Sequence, residues 1–223
     1  MIRAILFDMD GTLVDSEPLH HIAMLEVLDK VGVALPDTFA HDSTGMAMPA
    51  VYQLLRATTS LQMAYAELVA AKYAGFLRRA GEIAMRPGAQ QAIDAARAAG
   101  LAVAGVSNSD RKLVDASLAV AGIARPDMIT VTRNDVRNGK PDAEPYLRAA
   151  WLLGVAPHEC LVVEDSAPGA QAGLAAGMTV VGWPEPHRQD LLFPAGVHTL
   201  AGSDLAGFLQ QFIQSWRPAD VPR

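Results

Sequence analysis

The sequence of 223 residues contains a single cysteine, Cys160, so the chain cannot form an internal disulfide bond. Chains without disulfides are typical of the reducing cytoplasm, and we expect that location here. Cys160 precedes the apolar run Leu161-Val162-Val163, which favours a small buried side chain over a catalytic thiol. Cysteine chemistry is therefore not expected to carry the activity.

Long apolar segments are also missing from the chain. The longest uncharged stretch runs from Ala170 to Pro184 and is interrupted by glycines, which leaves it too short to cross a bilayer. The stretch from Met1 to Asp8 has no long apolar signal core. We therefore expect a protein that does not enter a membrane.

Basic residues are outnumbered, with 18 Lys and Arg against 24 Asp and Glu and a net charge of -6. Because the overall field repels polyanions, nucleic acid is not an expected partner. A phosphorylated small molecule would need local cations or a metal ion to be captured. Hydrophobic residues make up 51% of the chain, enough for a globular core. We expect a monomer or a weak homodimer.

Short apolar segments, each followed by polar or glycine residues, predict β-strands. They are Ile5–Phe7, Leu101–Val106, Met128–Val131, Cys160–Val163 and Thr179–Gly182. Helical patterns lie between most of them, and some end at a glycine such as Gly100 or Gly177 that suits a left-handed helix terminus. This alternation predicts an α/β fold with a mainly parallel sheet.

The segment from Ser16 to Met85 breaks the alternation, because it carries helical patterns and no convincing strand. Ser16 is a candidate N-cap for a helix with Pro18 in its first turn. Further helices are predicted over Pro49–Ala57 and Ala64–Arg79. We expect a catalytic core of residues 1–15 and 87–223 and a helical cap domain of residues 16–86. A mobile lid and a permanently packed helical layer are both open.

Polar side chains follow the predicted strands at their carboxyl ends, which share one edge of a parallel sheet. They are Asp8 and Asp10 after the first strand, Ser107 and Asn108 after the second, Lys140 on a turn after the third, and Glu164 and Asp165 after the fourth. So many carboxylates would repel one another unless a hard cation such as Mg²⁺ lay among them. Lys140 adds positive charge for a phosphate. The pattern predicts metal-assisted phosphoryl transfer.

The motifs that carry these residues resemble those of a known superfamily. They are Asp8-Met9-Asp10-Gly11-Thr12-Leu13-Val14-Asp15-Ser16-Glu17-Pro18-Leu19-His20, then Ser107-Asn108, Lys140-Pro141, and Glu164-Asp165-Ser166 continuing through Gly169, Ala172-Gly173 and Ala176-Gly177-Met178. In order and separation they are similar to the four motifs of the haloacid dehalogenase (HAD) superfamily, in its phosphatase and β-phosphoglucomutase branch. The resemblance implies a Rossmann-like, doubly wound parallel sheet with a helical cap inserted after the first motif.

The resemblance also implies roles for the candidate residues. Asp8 would attack phosphorus and become an aspartyl phosphate, while Asp10 would protonate the leaving oxygen and then activate water. Because ligation would hold Asp8 ionised, its charge would favour a proton on Asp10. Mg²⁺ would be held by the Asp8 carboxylate, the Asp10 backbone carbonyl, Asp165 and, directly or through water, Glu164. The transferring phosphoryl oxygens would be held by Ser107, Asn108 and Lys140.

Several activities within this resemblance can be weighed from the residues. Metal-independent dehalogenases of the superfamily lack the second aspartate, which Asp10 supplies here, and phosphonate hydrolases depart from this first motif. Mutases of the β-phosphoglucomutase type tend to carry Val where this chain has Thr12, which favours a phosphatase. The segments Asn138-Gly139-Lys140-Pro141 and Glu144-Pro145-Tyr146-Leu147 resemble those of sugar and polyol phosphate phosphatases. A phosphomutase remains the alternative, and a catalytically silent phosphate-binding scaffold is a weaker one.

Substrate choice depends on the predicted cap, where the sequence is less specific. His20 and Lys72 fall where related enzymes place a hinge histidine and a substrate-contacting lysine. A capping or surface histidine and a solvated lysine are the other interpretations. Met46 and Met48 stand where the mutase branch carries polar contacts, so they either pack in the core or meet an apolar part of a substrate.

Overall fold

The computed structural model describes residues 1–125, 128–188, 190–200, 202 and 204–215. Its centre is a parallel six-stranded sheet in the order β5-β4-β1-β6-β7-β8. The strands are β1 (Ala4–Asp8), β4 (Ala102–Val106), β5 (Ile129–Val131), β6 (Cys160–Glu164), β7 (Thr179–Gly182) and β8 (His198–Thr199). The five predicted strands are confirmed to within a residue at either end, whereas β8 is too short and polar to have been recognised.

The helices complete an α/β fold with a Rossmann-like core. They are α1 (Glu17–Lys30), α2 (Phe39–Ser43), α3 (Met48–Thr58), α4 (Tyr65–Arg78), α5 (Ala89–Ala98), α6 (Arg111–Val120), α7 (Glu144–Leu153), α8 (Ala167–Ala175) and α9 (Leu205–Ser215). Gly100 and Gly177 adopt φ of +73° and +71°, as predicted for residues that follow a helix. The predicted closing helix at the C-terminal end is confirmed as α9; residues 216–223 lie outside the described part.

Both faces of the sheet are buried, because side chains alternate along each strand. On β1, Ile5 and Phe7 join a core shared with α1, α5, α6 and α9, whereas Ala4 and Leu6 join a second core shared with α7 and α8. Helices therefore cover the two faces, as in a doubly wound sheet. Among the described residues, no helix is long and apolar enough to cross a membrane.

Helices α1–α4 form an inserted helical segment, as predicted, with α1 packed along α4. The structure adds a small antiparallel pair at its base, in which β2 (Val14–Asp15) lies beside β3 (Ala84–Met85). The expectation of no strand up to Met85 was therefore wrong at its last two residues. Two-residue strands carry no periodicity that a sequence could reveal.

Ser16 does not cap α1 with its side chain, so that prediction was wrong. Its backbone is helical rather than extended, and its hydroxyl instead donates a hydrogen bond of 2.6 Å to Asp10 Oδ1. The hydroxyl is oriented by this charge-assisted bond to the Asp10 carboxylate, and its oxygen does not accept from a backbone N–H of the first turn.

Candidate active site

The carboxyl ends of three neighbouring strands bring the chemical groups together. Asp8 ends β1 and Glu164 ends the adjacent β6, while Ser107 directly follows β4 on the other side. Asp8, Glu164 and Asp165 each offer a carboxylate oxygen within 4.8 Å of the others. Residues more than 150 positions apart in the sequence are therefore neighbours, as the parallel-sheet prediction required.

Lys140 neutralises part of this acidic cluster. Its ammonium donates to Asp8 Oδ1, to Glu164 Oε1 at 2.6 Å and to the Val106 carbonyl at 2.8 Å, with only 1% of the side chain exposed. Burial alone would lower the pKa of Lys140, but the charges of Asp8 and Glu164 raise it above its ordinary value. Lys140 is therefore a permanent cation in contact with Asp8.

The Oδ2 atoms of Asp8 and Asp165 suit a metal ion. Asp165 Oδ1 accepts from the Thr12 hydroxyl at 2.8 Å, and Asp8 Oδ1 accepts from Lys140. Within the described residues, neither Oδ2 atom accepts a hydrogen bond. Burial, followed by repulsion from Glu164, raises the pKa of both Asp8 and Asp165. A hard cation bound by carboxylate oxygens would relieve this repulsion, so the residues fit a divalent metal.

The main chain leaves room for these carboxylates at two glycines. A Cβ on Gly11 would lie 2.3 Å from Asp165 Oδ2, and Gly11 has φ of +83°. A Cβ on Gly169 would lie 1.8 Å from Glu164 Oε1. Any larger residue would displace the acid, so the acids and their surrounding loops are built as one unit.

Both carboxylate oxygens of Glu164 accept hydrogen bonds from other side chains. Oε1 accepts from Lys140 and from the Tyr146 hydroxyl at 2.6 Å, and Oε2 accepts from the Ser166 hydroxyl at 2.9 Å. With both oxygens already bonded, Glu164 is better placed to orient Lys140 than to ligate a metal directly. Of the two roles predicted for Glu164, the one through water fits this geometry.

Asp10 is surrounded by hydrogen-bond donors. Oδ1 accepts from Ser16 and from His20 Nε2 at 3.3 Å, and Oδ2 accepts from Ser107 and Ser109 at 3.0 and 2.8 Å. Burial would raise the pKa of Asp10, but the hydrogen bonds from His20, Ser16 and Ser109 lower it well below its ordinary range. These donors stabilise the Asp10 anion, and the proton on Asp10 that the resemblance implies beside a metal-bound Asp8 stays a prediction.

The predicted phosphate ligands Ser107 and Asn108 are engaged with the protein itself. The Ser107 hydroxyl is directed at Asp10, and Asn108 Nδ2 donates to the carbonyls of Gly45 at 2.8 Å and Lys140 at 3.1 Å. Asn108 Oδ1 also accepts from the Lys140 backbone N–H at 2.8 Å. Asn108 thus positions Lys140 and contacts the helical insert, and it would have to release a carbonyl to bind phosphate.

His20 and Lys72 form a chain of contacts that ends on Asp10. Lys72 Nζ lies 2.6 Å from His20 Nδ1, and the opposite ring nitrogen contacts Asp10. Burial, then the charge of Lys72, lowers the pKa of His20, so the neutral ring accepts from Lys72 and donates to Asp10. Lys72 is only 6% exposed, and the alternative of a solvated lysine was wrong.

Burial lowers the pKa of Lys72 from 10.5 to about 8, which predicts a pH-dependent stability difference. At pH below 8 Lys72 is charged in both the folded and unfolded states, so the folded state bears the full cost of burying the charge. That cost falls as pH rises from 8 to 10.5, because Lys72 becomes neutral in the folded state, and little of it is left at pH 10.5, where about half of the unfolded chains are neutral as well. We therefore expect Lys72→Met to raise the unfolding free energy by up to about 3 kcal/mol at pH 7 and by little at pH 10.5.

Urea unfolding of wild type and variant at pH 7 and pH 10.5 measures this difference. The same replacement at the exposed Lys112 is the matched control and should change stability little at either pH. An equal gain at both pH values for Lys72→Met would contradict a charge-burial origin.

Three residues of the site were missed by sequence reasoning. Ser109 and Tyr146 donate to Asp10 and Glu164, and nothing but proximity to motif residues could have indicated them. The buried Arg86 donates to the carbonyls of Gly11 at 2.8 Å and Trp183 at 2.7 Å and stacks on the Trp183 ring, 3.6 Å from its centroid. Arg86 therefore connects the C-terminal end of the helical insert to the loop that follows Asp10.

A cavity of about 450 Å³ opens above the acidic cluster. Asp8, Asp10 and Lys140 lie at its surface, together with side chains from the helical insert, including Lys72. Its size is within the roughly 300–1,000 Å³ of small-molecule sites. The candidate catalytic groups therefore face a space suited to a small ligand.

Comparison with known proteins decides the family. A family model described as haloacid dehalogenase-like hydrolase matches residues 2–177. The chain belongs to this hydrolase family. It is 33% identical to hexitol phosphatase A of Escherichia coli over 179 residues, which are 80% of this chain and 82% of that protein. It is also 31% identical to protein CbbY of Rhodobacter capsulatus over 200 residues, covering 84% and 88% of the two chains.

Solved structures of HAD-like hydrolases share the whole architecture. A mutant of CbbY from Rhodobacter sphaeroides, crystallised in complex with xylulose-(1,5)bisphosphate, superimposes with a TM-score of 0.81. The match covers 93% of this chain and 97% of that chain at 26% identity. This HAD-like hydrolase therefore keeps the sheet and the helical insert in the arrangement of a protein that binds a phosphorylated sugar.

Proposed function

We propose that this hydrolase is a Mg²⁺-dependent phosphatase that cleaves a small phosphorylated metabolite of the sugar or polyol phosphate class. The observation that carries the proposal is the pairing of Asp8 and Asp165 beside Lys140, each aspartate keeping one oxygen without a hydrogen bond among the described residues. Kinship with a hexitol phosphatase and a sugar-bisphosphate-binding protein supports the substrate class.

Asp8 is the proposed nucleophile. A carboxylate oxygen of Asp8 forms a bond to phosphorus while the bond from phosphorus to the substrate oxygen breaks, which leaves an aspartyl phosphate and an alcohol. Lys140 neutralises charge on Asp8 and on the transferring group. Asp8, Asp165 and the Asp10 backbone carbonyl would hold Mg²⁺, with Glu164 acting through water, and the ion would supply positive charge that keeps Asp8 ionised and stabilises the phosphoryl oxygens.

Asp10 is the proposed proton carrier, donating to the leaving oxygen and then taking a proton from the water that cleaves the aspartyl phosphate. Its pKa is low in this structure because its neighbours donate hydrogen bonds to it. An incoming phosphate dianion would draw the Ser107 hydroxyl away from Asp10 and would repel the Asp10 charge, and both effects raise the pKa of Asp10.

The helical insert, residues 16–86, is proposed to act as a cap domain on a core of residues 1–15 and 87–223. Besides the bonds of Ser16, His20 and Arg86 near the two connections, three hydrogen bonds join the rest of the insert to the core. They are Asn108 to the Gly45 carbonyl at 2.8 Å, Arg188 to the Thr44 hydroxyl at 2.9 Å and Tyr73 to Asp110 at 2.9 Å. Few contacts of this kind have to break for substrate to enter.

The proposed setting is the cytoplasm, with a free small molecule as substrate and neither nucleic acid nor membrane as partner. A single buried cysteine and a net charge of -6 support it. A monomer or weak homodimer is the proposed assembly.

Hydrolysis of p-nitrophenyl phosphate by purified protein tests the function. We expect activity with Mg²⁺ that disappears on chelation with EDTA and returns when Mg²⁺ is restored. A panel of hexitol, hexose and pentose phosphates, assayed in the same way, should then also release inorganic phosphate. A folded, Mg²⁺-binding protein that hydrolyses none of these would favour the silent scaffold instead.

Phosphorus NMR on hexose phosphates separates the phosphatase from the mutase. A phosphatase releases inorganic phosphate without a bisphosphate activator. Isomerisation that outpaces phosphate release and depends on a bisphosphate would establish the phosphomutase.

A further inference from the structure

The cavity above Asp8 has two walls of different chemistry. Near Asp10, the insert presents Glu17, His20 and Lys72, which can exchange hydrogen bonds with a hydroxylated substrate. Another part of the lining, beside polar residues such as Ser43, Thr44 and Arg188, is made of buried hydrocarbon and thioether side chains. We call these residues the apolar wall: Met24, Phe39, Met48, Val51 and Leu113.

The apolar wall is assembled from four helices rather than from one local segment. Met24 lies on α1, Phe39 on α2, Met48 and Val51 on α3, and Leu113 on α6 of the core. All five belong to a single hydrophobic cluster and are at most 9% exposed. The wall is thus the inner surface of the hydrophobic core where it meets the cavity.

A hydroxyl group directed at this wall would find few partners. The residues lie in helices, whose backbone amides and carbonyls are mostly bonded within the helix. The Thr44 hydroxyl, which also lines the cavity, already donates to the Ala40 carbonyl at 2.8 Å and accepts from Arg188. A fully hydroxylated sugar would lose water on this side without replacing its hydrogen bonds.

An apolar group of the ligand would bind favourably at the apolar wall. Packing hydrocarbon of the ligand against such a wall removes that hydrocarbon from water, and each methylene that is buried improves binding about fourfold. Met24 and Met48 add flexible, polarizable side chains that adapt to different shapes. The cavity therefore favours a ligand that is polar at one end and apolar at the other.

We infer that the alcohol part of the substrate carries an apolar group that packs against Met24, Phe39, Met48, Val51 and Leu113, while its phosphate lies at Asp8 and Lys140. This inference rests on the proposed phosphatase function and narrows its substrate class to phosphate monoesters that are not hydroxylated throughout. Deoxygenated, alkylated or aromatic alcohols meet the requirement.

A homologous series of phosphate monoesters tests the inference with the wild-type protein alone. The probes are methyl, propyl, butyl and hexyl phosphate, assayed for kcat/KM with saturating Mg²⁺. We expect kcat/KM to rise about threefold to fourfold per methylene until the wall is covered. A flat or falling response would overturn the inference.

Val51→Thr replaces a methyl of the wall by a hydroxyl of similar size. We expect the ratio of kcat/KM for hexyl phosphate to that for methyl phosphate to fall about fivefold. Val120→Thr, on the exposed side of α6, is the matched control and should leave the ratio unchanged. An unchanged ratio in a folded Val51→Thr variant would count against the wall.

The two proposals fail in different ways. If wild type hydrolyses no ester of the series and no phosphate of the metabolite panel, the proposed function is wrong. If it hydrolyses them with no preference for chain length, only the apolar subsite is wrong.

Discussion

Replacing Asp8 with asparagine is expected to reduce kcat on the order of 10⁴-fold or more while leaving the protein at least as stable as wild type. Asparagine keeps the shape of the side chain and removes the negatively charged oxygen that attacks phosphorus. Because every turnover passes through that attack, Lys140 and the hydrogen-bond donors of the site cannot replace it.

The stability of the Asp8→Asn variant should not fall with its activity. Burial and the charge of Glu164 raise the pKa of Asp8, so the folded state disfavours its ionised form at neutral pH. Asparagine removes this repulsion, while Lys140 keeps Glu164 and the Val106 carbonyl as partners. We expect the unfolding free energy in EDTA to be unchanged or about 1–2 kcal/mol higher at pH 7. The gain should vanish below about pH 4, where Asp8 is protonated in both states.

The measurements are steady-state phosphatase kinetics and urea unfolding at pH 7 and pH 4. Asp29→Asn makes the same chemical change on the exposed end of α1, and it should alter neither quantity by much. Retention of more than a few per cent of activity by a pure Asp8→Asn protein would mean that another group is the nucleophile. Lost activity together with lost stability would indicate a structural role for Asp8 instead.

The sheet edge could be predicted because its determinants are local. Apolar runs such as Ile5–Phe7 are confirmed as strands, and parallel pairing brings Asp8 and Glu164 to one edge. The alternation of strands and helices predicts a parallel sheet, and a parallel sheet places the residues that follow its strands at one edge.

The direction of each side chain could not be predicted in the same way. Ser16 has the sequence context of a helix cap, yet it bonds Asp10, and Asn108 has the context of a phosphate ligand, yet it bonds Gly45 and Lys140. In each case the competing partner comes from a distant segment. Tyr146 was missed for the same reason, because its partner Glu164 is reached only once α7 packs on the sheet.

Lys140→Met is expected to have the largest combined effect on stability and activity. The ammonium is bonded to Asp8, Glu164 and the Val106 carbonyl. Methionine fills similar space but leaves those carboxylates, and nearby Asp165, without their bonded cation. Removing one partner of a buried ion pair typically costs about 3–5 kcal/mol, because the remaining charges cannot regain water.

Activity of Lys140→Met should fall about 10³-fold, because positive charge beside the transferring phosphoryl group is lost. Unfolding in EDTA should show the full destabilisation, whereas millimolar Mg²⁺ should recover part of it, since the ion neutralises the same acids and binds only the folded state. Lowering the pH should also narrow the gap to wild type, as protonated carboxyls no longer repel.

Lys112→Met provides the matched control, since it removes the same charge from an exposed position on α6. It should change the unfolding free energy by less than about 0.5 kcal/mol and leave kcat unaltered. If Lys140→Met were as stable as this control in EDTA, the acids would have to be protonated or hydrated at neutral pH. The tight contact between Lys140 and Asp8 would then have no energetic consequence, and the account of a charged cluster poised for a metal would be wrong.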